Sequence, residues 1–145
     1  MGTFTADLEA FARKAKLSID GAVREVVTEL HGEVDRRSPV GNPDLWKMPA
    51  PPGYVGGHFR ANNQYRFGAL PTGEIGGVDP TGSATVLAVH AGIYSAPAAG
   101  VHYIANNVDY ALALENGHSR IQAPQGVYRL AMMSTVSKLS KFGFR

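Results

Sequence analysis

Apolar residues at Phe4, Leu8, Phe11, Ala15, Ile19, Val23, Val26, Leu30 and Val34 recur at steps of three and four, the repeat of one face of an α-helix. This stripe constrains the chain more than any other feature, and it predicts a single helix from about Thr5 to Arg36. At 1.5 Å per residue such a helix is on the order of 48 Å long, more than the width of a domain of this size, so part of it must project or meet a partner. Thr3 or Thr5 suits its cap, Asp7 and Glu9 suit the positive end of its dipole, and Arg36 and Arg37 the negative end. Gly21 is its weak point and the expected place for a bend or a close approach.

The chain changes character from Ser38 to Gly57. Pro39 stops the helix by forcing Ser38 towards extended geometry. Four further prolines, with Gly41, Gly53, Gly56 and Gly57, exclude regular helix. Leu45, Trp46, Met48 and Tyr54 are too apolar for a plain linker, and a long irregular segment inside a compact domain is usually functional. Aromatic side chains on such a loop are natural interface anchors, so these four residues are candidate contacts to a partner.

Beyond the loop, Phe59 to Leu70 reads as a first strand and Gly73 to Gly82 as a hairpin-type connection. Ala84 to Tyr94, ATVLAVHAGIY, is rich in β-branched and apolar residues and reads as the best strand; Val101 to Val108 is a third. Tyr110, Ala111 and Leu114 form a short amphipathic turn before a loop opened by Glu115, Asn116 and Gly117, and Gln125 to Lys141 reads as a closing helix. The fold class expected is α+β: a long N-terminal helix, a small antiparallel sheet and a short C-terminal helix. With 145 residues and 44% hydrophobic content, residues 1–145 suit one domain with one core.

The residues carry little sign of catalysis. Cysteine is absent, which excludes disulfides, thiolate-held zinc, iron–sulfur clusters and cysteine nucleophiles. His31, His58, His90, His102 and His118 are scattered, and only His90 with His102, on paired strands, offers even a remote metal pair. The glycine-rich runs at 53–57 and 73–77 lack the Lys-Ser/Thr of a phosphate loop. Glu115 is the most interesting carboxylate, expected to serve a local hydrogen bond or an intersubunit salt bridge with Arg120 or Arg129 rather than acid–base chemistry. No enzyme activity, cofactor or metal is expected. The start of the chain lacks a secretory pattern, and no apolar run approaches the roughly 20 residues that span a bilayer. Net charge is +2, and the basic residues Lys138, Lys141 and Arg145 close the chain without an acid among them. A small nucleic-acid-binding module would need a broader basic face than this.

The order of pieces resembles a known family. A first helix ends in Arg37-Ser38-Pro39-Val40, Gly57 to Asn62 (GHFRAN) follows, then Tyr110 to Gly117 (YALALENG), then a helix after Ala123-Pro124. In this order they are similar to the tail-completion or head–tail connector proteins, also called neck or minor tail proteins, of long-tailed bacteriophages. That family commonly has a short Pro-Val-Asp-Thr-Gly turn where this chain has its longer loop. The resemblance implies a structural virion protein made in the host cytoplasm, forming a ring, in the family a hexamer. Such a ring sits between the head connector or stopper and the tail tube or terminator, with a lumen through which genomic DNA passes without sequence-specific binding. Tail terminators and head-closing stoppers are the neighbouring alternatives. On this reading Leu45, Trp46, Met48, Tyr54, Tyr110 and Glu115 are interface residues, and Lys138, Lys141 and Arg145 face the lumen or an adjoining ring.

Overall fold

The computed structural model describes residues 3–42, 44 and 48–141. Among them the order is α1 (Thr3–Ala15), α2 (Ile19–Arg37), α3 (His58–Ala61), β1 (Gln64–Phe67), α4 (Ser83–Ser95), β2 (His102–Ala105), α5 (Ala111–Glu115) and α6 (Tyr128–Ser140). The class is α+β, with helices at both ends and a two-stranded antiparallel sheet.

The predicted single N-terminal helix is two. Lys16 takes a left-handed conformation with φ of 57°, and the Ser18 hydroxyl accepts from the Gly21 amide at 3.0 Å to cap a new helix. The break therefore falls before Gly21, which serves the cap of α2 instead of bending a rod. The reversal lets α1 fold back on α2, and Phe11, Ala12, Ala22 and Leu139 close a small core there with Leu8 and Val26. Burying both apolar faces against each other and α6 stabilises the pair more than an extended rod, which would leave the stripe in water. The stripe keeps its phase across the break, so periodicity alone cannot reveal it.

A second core joins Val34 of α2, Phe59 of α3, Val108, Ala123, and Val127 and Ala131 at the start of α6. Lys138 of α6 adds an ion pair to each of Glu29 and Glu33 on α2, and Arg36 and Arg37 also reach Glu33.

The sheet is smaller than expected. Phe59 to Ala61 is helical, and only Gln64–Phe67 pairs with His102–Ala105, in the register Tyr65 opposite Ile104. Ala84 to Tyr94, read as the best strand, is helix α4, lying against α2 and β1. Its 13 residues exceed an ordinary strand, and the Asp79 carboxylate accepts from the Gly82 and Thr85 amides at 3.1 and 2.8 Å to start it. The segment from Gly73 to Gly82 is accordingly an irregular connection and not a hairpin. It is held by Asn62, whose side chain bonds the Ile75 amide and carbonyl, and by His58, which bonds Glu74 and the Gly77 carbonyl. Gly57 makes the close approach possible: its φ is +106°, and a Cβ there would stand 2.4 Å from the Pro80 nitrogen.

Candidate functional site

The pieces of sequence that carry the family resemblance meet in space. Ser38 ends α2, donating its hydroxyl to the Val34 carbonyl at 2.7 Å and accepting from the Asn63 amide at 2.8 Å. Asn63 Oδ1 accepts from Asn106 Nδ2 at 2.9 Å and from the Tyr128 hydroxyl at 2.8 Å, and the Asn63 carbonyl accepts from His31 Nε2 at 2.9 Å. His31, Ser38, Asn62 and Asn63 are all buried. Burial lowers the His31 pKa, leaving a neutral ring that donates from Nε2. Arg60 completes the join, bonding the carbonyls of Ser38 and Pro80.

Glu115 sits at the other side of this framework. Its carboxylate accepts from three successive amides at the start of α6: Val127 at 3.0 Å, Tyr128 at 2.8 Å and Arg129 at 3.0 Å. Burial alone would raise its pKa, but these three N–H groups outweigh it and hold the carboxyl below its ordinary value. It is a helix cap placed twelve residues upstream, which agrees with a local hydrogen-bonding role and gives it no free oxygen facing a cavity.

Between the Ser38 loop and the segment 110–122 lies an open groove of about 1190 Å³. Tyr54, Tyr110, Phe59, Leu114, Ile121 and Gln122 are among its walls. Gln122 ties the two sides, accepting from the Val40 amide at 2.8 Å and donating to its carbonyl at 2.9 Å. Tyr110 leans on Phe59 with ring centroids 6.3 Å apart.

The candidate residues divide accordingly. Tyr54 and Tyr110 line the groove; Met48 is exposed; Leu45, Trp46 and Arg145 lie outside the described residues. Glu115 is internal to the framework. Lys138 is held by Glu29 and Glu33 at 2.8 and 2.5 Å, so its ammonium serves the α2–α6 join. Lys141 is exposed just past α6. His102 is spent on the Tyr65 hydroxyl and the Ala98 carbonyl, while His90 lies on α4 and not on a paired strand. Among the described residues no group of three or more His, Asp or Glu is placed to hold a metal ion, and no helix is long and apolar enough to cross a membrane.

Sequence reasoning missed the outer face of α4, with Leu87, Ala88, Ala91 and Tyr94 exposed. The run is apolar on all sides, so neither a period of two nor one of 3.6 emerges; its length and the Asp79-Pro80 start were the available signals.

No protein-family model matches the chain, and no curated protein or solved structure is significantly similar to it.

Proposed function

We propose that this chain is a structural subunit of the neck of a tailed bacteriophage, acting in tail completion as part of a ring at the head–tail junction. The observation that carries the reading is the convergence of Ser38, Asn63 and Tyr128, each within or beside one of the motifs behind the resemblance, on a single buried network. Motifs separated by tens of residues that share hydrogen bonds are the skeleton of a fold, and such a skeleton is what relatives with divergent surfaces retain. Exposed apolar side chains on several elements, Met48, Leu87, Leu112, Ile121 and Met133 among them, support a subunit whose surface is completed by neighbours.

On this reading the ring, six-fold in the resembling family, docks between the head connector or stopper and the tail tube or terminator, and DNA crosses its lumen without base-specific contact. Tail terminator and stopper remain the adjacent roles. The groove between Tyr54 and Tyr110 is the docking surface for a neighbouring protein. The reading has two tests. Cryo-electron microscopy of intact particles should trace this chain as a closed ring at the junction; its absence from the particle overturns the reading. Deleting residues 44–54 should leave a folded chain but unjoined heads and tails, and normal particle yield would reject the docking role of the loop. Retention on heparin at physiological salt would instead favour a nucleic-acid-binding module.

A further inference from the structure

Among the described residues, four buried side-chain atoms have no protein hydrogen-bond partner: Arg24 Nε, Thr28 Oγ1, His31 Nδ1 and Asp35 Oδ1. All four residues belong to α2 and follow one another at steps of four, three and four. At about 100° of turn per residue they fall within a stripe about 60° wide, so a single face of the helix carries them.

That face is turned to α4. Arg24 Nη2 donates to the Ala96 carbonyl, just past α4, at 3.0 Å. Thr28 lies beside the Tyr94 hydroxyl but outside hydrogen-bonding geometry, and that hydroxyl donates to Glu25 at 2.6 Å. His31 faces His90, and a Cβ on Gly82 would stand 2.2 Å from Asp35 Oδ2. The two helices therefore run antiparallel along a polar seam. Burial lowers the His31 pKa and raises that of Asp35, as expected of ionisable groups held away from water.

A buried polar atom that exchanges water for no partner destabilises the contact that buries it. Here that penalty falls on one contact, α2 against α4, and undocking α4 returns all four atoms to water. Little opposes it. Of the 13 residues of α4 only Val89 and Ile93 are buried, helped by the Glu25 and Arg24 bonds and by the Tyr65 ring under Gly92. α6, by contrast, buries Ala131, Thr135 and Leu139 and is tied to α2 by Lys138.

The chain on either side of α4 is fastened independently. The Asp79 amide donates to the Gly57 carbonyl at 2.9 Å, and Arg60 donates to the Pro80 carbonyl at 2.8 Å. Beyond the helix, His102 Nε2 donates to the Ala98 carbonyl at 2.8 Å. Residues 81–97 lie between these fixed points.

We propose that α4 is a detachable strap: residues 81–97 undock from α2 as one unit while α2, α6 and the Asn63 framework stay folded. The chain then has two forms that differ in the surface α2 presents, since undocking bares the stripe of Arg24, Thr28, His31 and Asp35. An isolated helix of this length is marginal in water, so α4 loses its amide protection when it undocks.

Hydrogen exchange of the full chain, read by mass spectrometry, tests this. Peptides from 83–95 should exchange at least about a hundredfold faster than those from 128–140. Equal protection of the two would overturn the proposal. Thr28→Val keeps the side-chain shape and removes one unpartnered hydroxyl, so it should slow exchange in 83–95 by about threefold. Faster exchange would mean that the seam is hydrogen-bonded, through internal water, and holds the helices together, which also overturns the proposal. Ile93→Ala removes a buried anchor of α4 and should leave 83–95 unprotected with 128–140 still protected. Loss of protection in both segments together would show a single cooperative unit and no strap.

Discussion

The Tyr128 hydroxyl, on the first residue of α6, donates a 2.8 Å hydrogen bond to the side-chain oxygen of Asn63, 65 positions earlier. Asn63 is fully buried, and burial drives the Tyr128 pKa far above its ordinary value. Tyr128→Phe leaves Asn63 Oδ1 its bond from Asn106, so a loss of about 1 kcal/mol is expected. Asn63→Ala removes the partner of Ser38, Asn106 and Tyr128 together, and should cost about 2–4 kcal/mol. Urea unfolding of the two variants checks this; equal losses would remove Asn63 from the centre of the network.

Glu33 predicts a specific acid sensitivity. Burial alone would raise its pKa, but hydrogen bonds from Lys138, Arg36 and Arg37 bring it down to about 2, against an ordinary 4.5. A depressed folded-state pKa gives stability that is present above the unfolded value and lost as pH falls towards the folded one. The wild type should therefore lose stability from about pH 4.5 down to about 2 through this group. Glu33→Gln should be weaker at neutral pH by about 1–3 kcal/mol and flatter below pH 4.5, since Arg36 is exposed and its share is screened. Parallel curves for both proteins in denaturant titrations would contradict the assignment.

His58 works in the opposite sense. Hydrogen bonds to Glu74 and then to the Gly77 carbonyl raise its pKa, with burial opposing weakly. Its contribution is fully present below the unfolded value near 6.5 and fades as pH rises through the folded one. An NMR titration should find His58 above 6.5 in the wild type and nearer that value in Glu74→Gln. An unchanged midpoint would show that the 73–77 segment is not pinned by this pair.

Gly126 links the cap to the helix it caps. Its φ is +89°, and a Cβ would stand 2.4 Å from the Glu115 carbonyl oxygen. Gly126→Ala should cost about 2–4 kcal/mol, through strain and displacement of Glu115 from the α6 amides. Gly76, where an added Cβ meets nothing within 4 Å, is the control, and Gly76→Ala should be neutral or slightly stabilising. Thermal melts and amide exchange at residues 127–129 separate the two.

The class, the helical character of both ends and the loop that Pro39 opens were legible from the residues, because these follow from apolar period, proline geometry and length. A local hydrogen bond was also expected of Glu115, and the Val127, Tyr128 and Arg129 amides supply it. The sequence did not reveal the turn at Lys16 to Ser18, because a reversal costs the stripe nothing in phase and its reward is contact with Leu139, over a hundred residues away. Nor did it separate helix from strand at Ala84 to Tyr94, where β-branched residues favour one and length the other. Packing on α2 and the Asp79 cap decided for helix. Lys138 looked like a free cation because its partners, Glu29 and Glu33, are remote in sequence. Local propensity and pattern are properties of neighbouring residues; which carboxylate meets which cation, and which apolar face is left uncovered, depend on how distant elements stack in three dimensions.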